Sequence, residues 1–419
     1  MSPTPAEEPW SQVNKIELRK VYDSRGNPTV EVIVHAGASL KGMASCPSGA
    51  STGSHEVVAF PGGSVDRGIE FAVSKVLGAL SGLPFGKQED FDRLLRERDG
   101  TKNFSSLGGN VATALSIAYA RASSLVAGIE LHEYVGRLRG RPETPFPAIV
   151  GNVLNGGVHA VGGPNIQEFI AFVEAREFRT EVEAAVAVHR EVGRRLRERF
   201  PSAALGRGDE GGWVAPTGDE EALEILSESC HVVRESGKYP GASIRPGLDL
   251  AASELYRDGR YHYRDRSLSP AEQVAFVGQL IDRFDLAYVE DPFEEEDFDS
   301  FGSLTRSLSP GRKTHLVGDD LYTTSPERLR QGLRMKSSNS VLLKVNQVGT
   351  LSETLECVRL ADQGGWSTIT SHRSGETTDH WLAHLARGFG SAGIKCGVLG
   401  GERIAKLNEL LRIAGSASS

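Results

Sequence analysis

The feature that most constrains the fold is a short apolar run that ends in a polar or charged residue and gives way to a helix-like stretch, recurring beyond about residue 240. The runs are 243–249, 286–290, 315–319, 341–344, 367–372 and 394–395, closing on Asp249, Glu290, Asp319, Lys344, His372 and Lys395. Successive closing residues lie 41, 29, 25, 28 and 23 positions apart, close to the ~30 residues of one βα unit. Repetition of that unit predicts an eight-stranded β/α barrel of the TIM type, whose active site is lined by the C-terminal ends of its strands. Helix signals between the runs agree. Ser269-Pro270-Ala271-Glu272 reads as a capping box with proline at the first helical position, Ser325-Pro326 starts a second helix, and Gly364-Gly365 stops a third.

The first third reads differently, as an α+β unit. A strand-like 16–22, a turn at Asp23-Ser24-Arg25-Gly26-Asn27-Pro28 and alternating Val30, Val32 and Val34 predict a hairpin. Apolar residues at helical spacing follow from Ile69 to Leu80, with Ser64 placed to cap, and a second helix is expected from about Asn110. The expected division is a disordered tail at 1–13, an N-terminal α+β domain at 14–142 and a C-terminal barrel at 143–419, because prolines and glycines near 140–147 interrupt both patterns.

Composition narrows the function classes. With 47 Lys+Arg against 55 Asp+Glu and a net charge of −8, the chain offers no basic field for nucleic acid or an anionic membrane. The polar start lacks the apolar stretch of a secretory signal, and no run approaches a membrane span. Cys46, Cys230, Cys357 and Cys396 form no CxxC pair, which fits reduced thiols in a cytoplasmic protein.

The closing residues carry the chemistry. An Asp or Glu at one strand end caps the next helix about as often as it binds metal. Asp249, Glu290 and Asp319 from three successive units instead converge as hard oxygen ligands, a set that suits Mg2+. Asp291 and Asp320 beside them read as helix caps or hydrogen-bond supports. Lys344, one unit later, follows an apolar run into the cluster, where neighbouring cations favour the neutral amine that a general base needs. Glu210, in Gly208-Asp209-Glu210-Gly211-Gly212, and Glu168 supply carboxyl groups that can protonate a leaving group. His372-Arg373-Ser374-Gly375 combines a guanidinium, a hydroxyl and backbone N–H groups suited to phosphate, and Lys395 can neutralise a carboxylate. His189 has no such context and reads as part of a solvated helix.

Together these residues resemble the enolase (phosphopyruvate hydratase) family over nearly the whole chain. The likeness is carried by Asp23-Ser24-Arg25-Gly26-Asn27-Pro28-Thr29-Val30-Glu31-Val32, Ser48-Gly49-Ala50-Ser51-Thr52-Gly53, Leu154-Asn155-Gly156-Gly157, the Gly208-to-Gly212 turn, Leu342-Leu343-Lys344-Val345-Asn346-Gln347 and Ser371-His372-Arg373-Ser374-Gly375-Glu376-Thr377. The resemblance implies a homodimer or assembly of dimers, two Mg2+ per site, and reversible dehydration of 2-phosphoglycerate to phosphoenolpyruvate. It implies Asp249, Glu290 and Asp319 on the first ion, Ser51 on the second, Lys344 as base, and Glu210 helped by Glu168 as acid. His159, Arg373 and Ser374 would hold phosphate and Lys395 the carboxylate side, with Gln167 and His372 in support. The pairing of a base with magnesium in such sites is a known pattern of the superfamily.

The chain departs from the family at four places: an extra Trp213 after the glycine-rich turn, a short stretch at 57–66, Val398-Leu399-Gly400-Gly401 where Ala-Arg-Ser is common, and a tail after Ile413 without acidic residues. The last bears on an inter-subunit ion pair for which Glu31 and Arg412 remain. Two alternatives stay open here: a paralogue resembling the carboxyphosphonoenolpyruvate synthases of phosphonate and phosphinate metabolism, and a non-catalytic structural or binding protein with the same fold.

Overall fold

A computed structural model describes residues 11–416 apart from 38, 50–52, 158, 159, 161 and 309–312. The chain forms two compact units: residues up to Pro145 together with Lys344–Arg359 and Arg373–Gly390, and Phe146–Leu343 together with Leu360–His372 and Ser391–Ser419.

In the first unit, strands Val13–Tyr22, Pro28–Ala36 and Leu40–Ser45 make an antiparallel meander. Val30, Val32 and Val34 are fully buried, as their alternation predicts. The sheet packs on helix Gly109–Val126. Contact is so close at Gly42 that a Cβ there would lie 2.1 Å from the Ala118 carbonyl oxygen. Ser64 does cap helix Val65–Phe71, accepting from the Arg67 N–H. The third strand and helix Gln88–Asp99 are additions to the predicted elements.

The second unit is a closed barrel of strands Ala148–Asn155, Glu168–Glu174, Ser243–Asp249, Tyr288–Glu290, His315–Gly318, Ser340–Leu343, Ser367–Ser371 and Gly393–Gly397, the last pairing with the first. Val150, Ile170, Phe172, Tyr288, Val317, Leu342 and Ile369 form its core. The Ser269 capping box, the Ser325 cap and the stop after Gly364 all stand where the sequence places them. Two features were not in the repeating pattern. Strand Glu168–Glu174 runs antiparallel to both neighbours, so its first residue, rather than its last, shares the rim with Asp249. Lys395 does not close its strand but sits in the middle of Gly393–Gly397, because the polar lysine is followed by two more strand residues, Cys396 and Gly397.

Candidate active site

The register of the barrel brings the rim acids together. Glu168 pairs with Asp249, and Asp249 with Glu290. All three are at most 4 % exposed, as is Lys395. The Lys395 ammonium donates to Asp249 Oδ2 at 2.7 Å and to both Glu290 oxygens at 2.8 Å, and lies 3.4 Å from Glu168. Burial opposes its charge, yet the Asp249, Glu168 and Glu290 carboxylates outweigh burial and hold it well above the usual lysine pKa. Lys395 is thus a fixed cation.

Glu168 behaves in the opposite sense. Burial, and then the charge of Glu210, push its carboxyl well above the usual carboxylate range. Glu210 Oε2 accepts from Asn152 Nδ2 at 3.0 Å and lies 3.3 Å from His372 Nε2. Glu168 Oε2, Asn152 Oδ1 and both polar atoms of the Asn155 side chain are buried with no hydrogen-bond partner among the described residues. So many orphaned polar atoms beside two carboxyl groups indicate a place for a polar ligand. Asn152 was missed in the sequence and Asn155 entered only as part of Leu154-Asn155-Gly156-Gly157 with no site role, although asparagines in an otherwise apolar strand are a readable signal.

Ligand atoms of Asp291, Asp319 and Asp320 lie within 4.8 Å of one another. Asp291 accepts from the backbone N–H of Asp319 at 2.9 Å and of Asp320 at 2.8 Å, so its carboxylate ties two rim loops, the supporting part expected of it. Asp319 joins this group, whereas Asp249 and Glu290 hold the Lys395 ammonium. Burial and the charges of Asp320 and Asp319 raise the Asp291 pKa strongly. Six rim carboxyls with one lysine among them leave an excess of negative charge, and their donors are all oxygens. A hard divalent cation fits that set.

Arg373 and Ser374 belong to the first unit and are buried. The Arg373 guanidinium grips Glu56 with both terminal nitrogens, at 2.9 and 3.1 Å, and reaches Asn346 Oδ1 at 3.2 Å. Glu56 also accepts from the Gly53 N–H at 3.1 Å. A carboxylate therefore already engages the expected phosphate fork, a partner that no motif in the chain announces. Lys344 follows the strand ending at Leu343 directly and begins the short helix Val345–Val348. Ser51 and His159 lie outside the described residues, and Gln167 is buried at the start of the Glu168 strand.

The glycine-rich turn is braced from behind. Trp213 donates its indole N–H to the His189 carbonyl at 2.9 Å, and its ring fills the space over Gly193, where a Cβ would be 2.5 Å away. Far from lying on a solvated face, His189 is fully buried and donates Nε2–H to the Gly211 carbonyl at 2.8 Å. Burial pushes its pKa down to about 4, so the ring is neutral. The Val398-to-Gly401 departure touches the same turn: a Cβ at Gly211, whose φ is +81°, would meet the Leu399 carbonyl oxygen at 2.3 Å.

Comparison with known proteins gives the same picture. The family profile described as the enolase C-terminal TIM barrel domain matches residues 143–419, and the enolase N-terminal domain profile matches 13–135. A protein named enolase from Thermoplasma acidophilum is 45% identical over 401 residues, 96% of this chain and 98% of its own length. Proteins of the same name from Picrophilus torridus and Archaeoglobus fulgidus are 42% and 45% identical over 402 residues, each covering 96% of this chain and 98% and 96% of their own lengths. With the barrel, its acid rim and both domain profiles in agreement, the chain belongs to the enolase family.

Proposed function

We propose that this chain is an enolase-type hydro-lyase that interconverts 2-phosphoglycerate and phosphoenolpyruvate. The observation that carries the reading is the buried Glu168, its carboxyl pKa raised, beside Glu210 and a group of orphaned polar atoms, on the rim that also holds Lys395. In the dehydration direction the Lys344 amine takes the proton from the carbon next to the carboxylate. The electron pair left on that carbon forms the new double bond as the neighbouring C–O bond breaks. Glu210 gives its proton to the departing hydroxide, which leaves as water, and Glu168 keeps Glu210 supplied and blocks a second negative charge beside it. Lys344 owes its role to the family likeness and to its place at the end of a barrel strand.

Lys395, held charged, offsets the carboxylate of the substrate, while Arg373 and Ser374, with His159, hold its phosphate and His372 and Gln167 support them. Asp249, Glu290 and Asp319 would hold one Mg2+ and Ser51 a second. When bound, these ions supply the positive charge that makes the α-carbon acidic. The reading includes a cytoplasmic homodimer with a place in glycolysis. Among the described residues no single helix is long and apolar enough to cross a membrane. Arg412 pairs with Glu409 at 2.6 Å within the chain, and Glu31 with Arg19.

The deciding experiment follows enol absorbance with purified protein, Mg2+ and 2-phosphoglycerate. Turnover should fall about 10²-fold or more in Lys344→Ala and in Glu210→Gln. A folded parent that binds Mg2+ by calorimetry yet leaves 2-phosphoglycerate untouched would reject the proposal and direct attention to phosphonate substrates.

A further inference from the structure

Arg403 is fully buried in helix Gly401–Ser416 and was not among the predicted site residues. Its guanidinium makes three different contacts: Nη1 lies 2.7 Å from His372 Nδ1, Nη2 donates to the Asp209 carbonyl at 3.0 Å, and Nε lies 3.3 Å from Glu402. The first has a strict consequence. A guanidinium has donors and no acceptor, so at 2.7 Å His372 Nδ1 must be the acceptor and must carry no hydrogen. The imidazole proton then resides on Nε2, and Nε2 faces Glu210 Oε2 at 3.3 Å.

The second contact acts on the same residue from the other side, since Asp209 directly precedes Glu210. Gly397, at the strand end between them, leaves the necessary room: a Cβ there would lie 2.1 Å from the Glu210 carbonyl oxygen and 3.1 Å from Arg403 Cγ.

We propose that Arg403 is a positioning residue for the acid Glu210: it locks His372 as the Nε2–H tautomer and anchors the Asp209 peptide, so that the Glu210 carboxyl faces an N–H across 3.3 Å, a pair that closes to a hydrogen bond when the acid is in its working position. In the other tautomer the Nε2 lone pair would accept the Glu210 acid proton at the same short separation and hold it away from the leaving group. This rests on the reading of Glu210 as the acid.

The choice of variants isolates the tautomer. Arg403→Lys keeps a donor-only head that can serve His372 Nδ1, whereas Arg403→Gln can turn its amide to donate or accept and so tolerates either tautomer. With ring-15N histidine, and the His372 signals identified by their loss in His372→Asn, the parent should show a pyrrole-type Nε2 and a pyridine-type Nδ1. Arg403→Gln should show a mixture, with kcat lowered on the order of 10²-fold and KM changed little, the pattern of a misplaced reacting group. Arg403→Lys should retain the parent tautomer and recover much of kcat. Melting curves establish that each variant is folded, and should one fail to fold, the parent spectrum alone still decides the tautomer.

An Nδ1–H signal in the parent, or equal kcat in folded Arg403→Lys and Arg403→Gln, would overturn the proposal. Glu210→Gln run alongside separates the two ideas. If it stays active, the acid assignment fails, and if it is inactive while Arg403→Gln matches the parent, only the role of Arg403 fails.

Discussion

At the scale of single residues, one buried setting acts differently on unlike groups. Lys395 and Glu168 lie 3.4 Å apart, equally buried, yet the lysine stays charged because carboxylates surround it, and the Glu168 pKa is pushed up because burial and Glu210 act in the same direction. Arg373 shows what a planar fork adds. It holds both Glu56 oxygens at once, a geometry that phosphate also satisfies and that a lysine does not reproduce. Arg373→Lys should therefore raise KM for the phosphorylated substrate roughly tenfold or more, read from initial rates. The strand-end acids were legible because each closes a repeated run. Glu56 and Arg403 were not, because what matters about them is the atom they face, Arg373 in one case and His372 Nδ1 in the other, and no spacing in the chain encodes that.

At the scale of elements, helix starts and stops were read where a local rule governs them, as at Ser269, Ser325 and Gly364. Strand Glu168–Glu174 escaped because direction within a sheet is a tertiary property. Helix Phe178–Arg199 carries a second kind of hidden information. Glu181 on its first turn is buried, accepts from the Ala175 N–H at 2.9 Å through one oxygen and leaves the other without a hydrogen-bond partner among the described residues. Burial pushes its pKa up to about 8. A folded pKa above the unfolded one means that the native state holds the proton longer. Its contribution to stability is therefore intact below the ordinary glutamate value and is lost as pH rises towards and through 8. Glu181→Gln should remove that loss. Denaturant melts should find the variant close to the parent near pH 4.5 and more stable at pH 9, by up to about 5 kcal/mol at ~1.4 kcal/mol per pKa unit.

At the scale of the whole molecule, a buried excess of carboxyl groups at one rim couples folding to cations. Burial and the charges of Asp320, Asp319, Glu290 and Asp249 together raise the Asp291 pKa. Binding of Mg2+ to the native state alone should stabilise it by about 2.7 kcal/mol at a hundredfold excess over Kd. Thermal melts should accordingly rise by several degrees with added Mg2+ and fall back with a chelator, and a melting temperature indifferent to both would contradict the assignment of the rim acids as metal ligands. The antiparallel strand has a different kind of consequence. Because Asn155 and Glu168 face each other in register, the segment joining them leaves and re-enters the barrel at one end, whereas each parallel connection must travel the barrel's full height. The connection from Glu174 to Ser243 does the same at the opposite rim, so the segment after Asn155 is the one of the two beside the acids, where evolution could lengthen, shorten or exchange chain without re-threading a strand and so retune what the site accepts while the scaffold stays closed.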